Sequence, residues 1–172
     1  KENSNDEEFA GGIVAILETA TIENSKNTGN VIGSTNIGGI AGESKGTITQ
    51  CRNDGQVSKV AGVICKTVNL GGLVGKNGEA ARLSNSKNYG NVNSETDTLV
   101  NLGGICGILY NNSIVELCEN NGAISGSGKE IIPNEDTNTN CASCTSNNGG
   151  SASTDDFGQL NIGIIYGKYQ EI

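Results

Sequence analysis

Six cysteines, Cys51, Cys65, Cys106, Cys118, Cys141 and Cys144, are the most reactive side chains in this 172-residue chain. They could serve as metal ligands, as disulfide partners or as buried thiols. Zinc wants a compact set of four soft or imidazole ligands. The chain has no histidine and a single C-x-x-C, Cys141 to Cys144, so zinc is not expected. As disulfides, Cys141 with Cys144 could close a local bridge, Cys106 with Cys118 lies within one repeat, and Cys51 with Cys65 spans one corner. Spacing does not choose among these candidates.

Other chemistry is poorly supplied. Without histidine, neither a Ser-His-Asp nor a Cys-His set can be assembled. The carboxylates gather at the N-terminus and between 126 and 158, so an enzyme is not expected. Oxygen ligands for calcium occur in Asn134-Glu135-Asp136-Thr137-Asn138 and in Asp155-Asp156. Their spacing matches no calcium loop, and a solvated acidic loop is the simpler expectation; no cofactor is expected. Among four tyrosines, Tyr89 sits in a turn where it could touch a glycan or a protein. A threonine ladder of the ice-binding kind fails on register, because Thr21 and Thr47 are followed in their column by Arg82 and Ile114.

The elements that would position these residues are written as repeats. Asn69-Leu70-Gly71-Gly72-Leu73-Val74-Gly75 recurs as Asn36-Ile37-Gly38-Gly39-Ile40-Ala41-Gly42 and as Asn101-Leu102-Gly103-Gly104-Ile105-Cys106-Gly107. Weaker copies begin at Ala10 and Asn161. Each strong copy is followed by an Asn-x-Gly turn, and the chain has four such turns: Asn27 to Gly29, Asn53 to Gly55, Asn88 to Gly90 and Asn120 to Gly122. These turn glycines are 26, 35 and 32 residues apart, a spacing typical of repeat architectures. Asn-x-Gly is read here as turn chemistry, since both residues accept left-handed backbone.

Apolar positions fall into columns: Ile13, Ile40, Leu73 and Ile105; then Ile22, Ile48, Leu83 and Val115; then Val31, Val57, Val92 and Ile124. The intervening segments are short and glycine-rich, with 26 glycines in all and no sustained helical stripe. Short strands stacked coil on coil fit better. The expected fold is all-β: a β-solenoid of about four coils plus a partial fifth. It divides into an acidic segment or cap (1–9), solenoid repeats (10–125), a polar cysteine-containing insertion (126–158) and a partial last coil (159–172). Stacking would align the turn asparagines into hydrogen-bonded ladders, with Asn36, Asn69 and Asn101 forming a second one. It would also leave Cys51 and Cys118 two coils apart, roughly 9.6 Å, too far for a bridge.

Net charge is −8, which argues against nonspecific nucleic-acid binding. No apolar run reaches the length of a bilayer span, so membrane insertion is not expected. The first eight residues lack the apolar stretch of a signal peptide. A secreted protein would carry this chain as a processed or excised piece.

The copies resemble GLUG repeats. The match is carried by Gly71-Gly72-Leu73-Val74-Gly75, by Gly46-Thr47-Ile48, and by Asn85-Ser86-Lys87-Asn88-Tyr89-Gly90-Asn91-Val92, and it covers about residues 10–125. That resemblance implies an extracellular or cell-surface setting in a bacterial, adhesin-like protein, and a non-catalytic repeat region. The expected function is a non-enzymatic structural or adhesive solenoid that could self-assemble end to end into a filament. Its partners would be other copies of itself or a host-surface protein or glycan. The alternative is a ligand-binding module that grips glycan or protein with the 126–158 insertion.

Overall fold

The computed structural model describes residues 3–4, 7–94, 99–110, 112–133, 141–147, 150–163 and 166–170; side chains are described over 7–94, 99–110, 112–127 and 143–147. The chain is an all-β solenoid. Apart from Ile124–Pro133 and Gly150–Gly163, its described strands are short and end at corners, and every described strand pairing is parallel, since successive coils advance along one axis.

One five-stranded sheet stacks Val14–Leu17, Ala41–Ser44, Val74–Asn77, Cys106–Tyr110 and Tyr166–Gln170. A second stacks Thr21–Glu23, Thr47–Thr49, Arg82–Ser84, Ile114–Glu116 and Cys141–Ala142. A third stacks Lys26–Asn27, Arg52–Asn53, Lys87–Asn88, Glu119–Asn120 and Thr145–Ser146. A nine-stranded sheet completes the coils. It contains Phe9–Gly11, Asn36–Gly38, Val68–Gly71 and Leu99–Gly103 in one run, and Val31–Gly33, Val57–Lys59 and Val92–Ser94 in another. The two runs are joined through the pairing of Ile124–Pro133 with Gly150–Gly163.

Registers follow the repeated columns. Ile22, Ile48, Leu83 and Val115 pair in line, as do Thr21, Thr47, Arg82 and Ile114. Burial of the columns depends on level. Ile40, Leu73 and Ile105 are fully buried, whereas Ile13, in the first coil, is 42% exposed, with no coil on its outer side among the described residues. Ile22 is likewise only partly buried.

The segment 126–158, read from sequence as an insertion, supplies further rungs. Cys141–Ala142 pairs with Val115 and Glu116, and Thr145–Ser146 pairs with Glu119 and Asn120. The N-terminal segment is tied to the side of the solenoid: Asn3–Ser4 pairs with Ile64–Cys65. Farther along, the Glu8 carbonyl accepts from the Asn36 amide at 2.9 Å.

The corner chemistry differs from the expectation. Left-handed backbone occurs at Asn24, Gln50, Asn85, Leu117 and Ser143, one residue after each strand of the second five-stranded sheet. Among the described glycines only Gly62 has a positive φ. Glycine is therefore not what turns these corners. Leu117 holds φ 53° with 54% of its surface exposed, a conformation that costs a γ-branched residue more than asparagine. Leu117→Asn is expected to stabilise the protein by about 1 kcal/mol, read as a higher urea midpoint at unchanged m-value.

Candidate functional site

The interior is organised by asparagine. Asn27, Asn53, Asn88 and Asn120 stand in register on the third five-stranded sheet. Asn27 Nδ2 donates to Asn53 Oδ1 at 2.9 Å, Asn53 to Asn88 at 2.9 Å, Asn88 to Asn120 at 2.8 Å, and Asn120 to Ser146 Oγ at 3.2 Å. Each amide also closes its own turn. Nδ2 of Asn53 donates to the Gly55 carbonyl at 2.7 Å, and the Gly55 N–H donates to Asn53 Oδ1 at 3.2 Å. The same pair of bonds joins Asn27 to Gly29, Asn88 to Gly90 and Asn120 to Gly122.

This turn contact fixes the amide orientation. A backbone N–H can only donate and a carbonyl can only accept, so Oδ1 and Nδ2 cannot exchange places. Asn53, Asn88 and Asn120 then satisfy two donors and two acceptors each, while being fully buried. A buried amide is costly unless paired; here every polar site is used.

In the Gly-Gly signature the first glycine is pressed by backbone, a Cβ on Gly71 lying 2.0 Å from the Val74 carbonyl oxygen, and the second meets both the ladder and the carbonyl of the next coil. A Cβ built on Gly39 would lie 2.3 Å from Asn53 Cγ, and one on Gly72 would lie 2.2 Å from Asn88 Nδ2. Gly12 meets Asn27 in the same way, at 2.5 Å from Cγ. The two signatures are thus halves of one contact across the interior. On either side of it the apolar side chains form separate clusters, one around Ile40, Leu73 and Ile105 and one around Ile37, Leu70 and Leu102.

The turn glycines are needed for close approach. A Cβ on Gly55 would lie 1.9 Å from the Gly29 carbonyl oxygen, on Gly90 1.8 Å from that of Gly55, and on Gly122 1.9 Å from that of Gly90. Gly29, in the outermost coil, has nothing closer than 3.7 Å.

A second ladder runs the opposite way. Asn101 Nδ2 donates to Asn69 Oδ1 at 2.6 Å, Asn69 to Asn36 at 2.7 Å, and Asn36 to the Glu8 carbonyl at 3.3 Å. The two rows of amide dipoles oppose each other along the solenoid axis.

Outside, the polar side chains are engaged with one another. Asp54 takes Lys26 at 2.7 Å and Arg52, and Arg52 and Lys26 hold its carboxyl below the usual range. Lys87 bridges Glu119 at 2.9 Å. Lys76 lies 3.6 Å from the buried Glu43 and 3.3 Å from Glu7; burial works against its charge, but these two carboxylates raise its pKa. Tyr89 is half-exposed, yet the Arg52 guanidinium lies 4.2 Å from its ring centroid. One ring face is therefore already taken, which weakens it as a sugar platform.

The cysteines fall into two groups. Cys51, Cys65, Cys106 and Cys118 are buried thiols outside any disulfide. The candidate bridges Cys51–Cys65 and Cys106–Cys118 are not formed. Cys51 and Cys65 belong to different core clusters, divided by the ladder. Cys106 and Cys118 share a cluster as thiols, Cys106 pushed up by burial and by Cys118, and Cys118 pushed up to about 11 by burial. Cys144 is disulfide-bonded. The side chain of Cys141 lies outside the described residues, as do the candidate calcium ligands at 134–138 and at Asp155 and Asp156.

Among the described residues, two buried polar side chains break the rule of full pairing. Asn77 and Ser44 are fully buried, and neither Ser44 Oγ nor either Asn77 amide atom has a hydrogen-bond partner. They are neighbours in a column that otherwise carries Leu17, Leu109 and Tyr169. Asn77→Leu is expected to raise stability by about 1 kcal/mol, by removing an unpaired buried amide; a thermal melt against the parent protein checks it.

Comparison with protein-family models, curated proteins and solved structures gave no match. The functional conclusion therefore rests on the solenoid itself. Sequence pattern pointed to the asparagine and glycine columns. It did not show that they touch, nor that Ser146 and Cys144 continue the columns of Asn120 and Cys118.

Proposed function

We propose that this chain is a non-enzymatic structural or adhesive element of an extracellular or cell-surface protein, and that copies stack end to end. One observation carries the proposal: the continuous row of buried, hydrogen-bonded amides from Asn27 to Asn120, which ends on the Ser146 hydroxyl. Such a row ties each coil to the next through side chain as well as backbone, which suits a stiff rod. The resemblance to GLUG repeats supports the surface setting. End-to-end stacking is supported by the edge strands Phe9–Gly11, Val14–Leu17 and Val31–Gly33, whose outer edges have no strand beside them among the described residues. Unpaired strand edges accept further strands.

Negative-stain microscopy of the purified chain over a range of concentrations tests this. Elongated particles that lengthen with concentration are expected. Particles of one size at every concentration would overturn the stacking. Turnover of any member of a polysaccharide or peptide panel would overturn the non-enzymatic reading.

A further inference from the structure

We propose that Cys118 and Cys144 form a covalent staple between coils, reached by thiol–disulfide exchange within the folded chain. Glu119 pairs with Thr145 and Asn120 with Ser146, so the two preceding residues, Cys118 and Cys144, are stacked neighbours. The Thr145 amide donates to the Cys118 carbonyl at 3.0 Å. Adjacent coils are about 4.8 Å apart, inside the roughly 4.4–6.8 Å Cα separation that a disulfide spans. Both residues pack in one core cluster. On its other side Cys118 faces Ser86 in the same column, whose Oγ accepts from the Cys51 amide at 3.0 Å. Cys144 is therefore the only sulfur beside Cys118 in that column.

The step needs no oxidant. Cys118 is a free thiol and Cys144 is already in a disulfide. Cys118 loses its proton, and its sulfur attacks Sγ of Cys144. The bond from Cys144 to its present partner breaks, and the electron pair leaves on the partner sulfur, which takes up a proton. One disulfide is lost and one is formed. The product would link the coil of Glu119–Asn120 to that of Thr145–Ser146, where the asparagine ladder ends in a serine. Burial raises the Cys118 pKa to about 11, so the thiolate is scarce near neutrality and exchange is slow there.

The test is peptide mapping. The folded chain is held without reductant at pH 7, 8 and 9, quenched by acid, alkylated, digested and read by mass spectrometry. A Cys118–Cys144 linked peptide is expected, its rate of appearance rising about tenfold per pH unit. It should vanish in Cys118→Ser and persist in Cys106→Ser, with the far-ultraviolet β signal of both variants unchanged. Two results would overturn the proposal. One is a fully alkylatable Cys118 with no linked peptide at pH 9. The other is a scramble that also links Cys51 or Cys65, which would mark exchange through global unfolding.

Discussion

Gly90→Ala is expected to leave no folded protein at room temperature, while Gly29→Ala folds. Both glycines occupy the same place in the Asn-x-Gly turn and neither has a left-handed φ. Propensity alone would treat them alike. Packing does not: a Cβ on Gly90 would lie 1.8 Å from the Gly55 carbonyl oxygen, and on Gly29 nothing approaches within 3.7 Å. The obstructing atom is backbone, so no side chain can swing aside. Relief would require two coils to part, breaking the Asn53–Asn88 bond and the pairings on either side. The cost should exceed about 4 kcal/mol, the upper range for single substitutions, out of roughly 5–15 kcal/mol for a whole domain. Gly55→Ala and Gly122→Ala should behave like Gly90→Ala. Circular dichroism with urea titration of the series checks this; a Gly90→Ala protein as stable as Gly29→Ala would show that the coils do not stack so closely.

Asn88→Ala is the second large effect. It removes four buried hydrogen bonds at once: those to the Gly90 N–H and carbonyl, to Asn53 Nδ2 and to Asn120 Oδ1. Each lost bond costs about 1 kcal/mol net, so a loss of about 4 kcal/mol is expected. Asn88→Asp keeps the shape and adds a sign. Its carboxyl would be buried, with two acceptors, the Gly90 carbonyl and Asn120 Oδ1, where donors are needed. Both features disfavour the charged form, so its folded pKa lies above the unfolded value of about 4. The folded state then binds the proton more tightly. Stability relative to the parent is greatest below about pH 4 and falls as pH rises through the folded pKa. Urea titrations of both proteins at acid and neutral pH check it. A difference that does not vary with pH would mean that position 88 is open to water.

How much of this was readable beforehand depends on which contacts repeat literally. In a solenoid each coil stacks on its copy, so a residue's neighbour is its counterpart in the next repeat. That is why the Ile48, Leu83 and Val115 column and the asparagine row could be drawn from the letters. The contact between Asn53 and Gly39 could not, because it crosses the coil between two different motifs, and repetition says nothing about what faces what. The glycines were assigned to turning for the same reason. Their true constraint is the neighbouring coil, whereas Gln50 and Leu117 turn the corners with side chains that point outward and need no particular chemistry. Beyond Gly126 the motif fades: Ser146 replaces asparagine, and Cys141 sits where Val115 is one coil earlier. Backbone pairing restores a register that side-chain identity had lost. Spacing left Cys51–Cys65 open as a candidate bridge because sequence distance ignores the ladder that separates the two.

The central claim is that turn asparagines form a buried, fully paired spine. Hydrogen exchange of asparagine side-chain amides, followed by NMR on 15N-labelled protein, tests it most directly. The Nδ2 protons of Asn53 and Asn88 should exchange only through opening of the coils, far more slowly than those of Asn24, whose side chain is exposed at a corner. Exchange of Asn53 and Asn88 as fast as Asn24 would contradict the account, because amides bonded on every side within the stack cannot meet water while it holds.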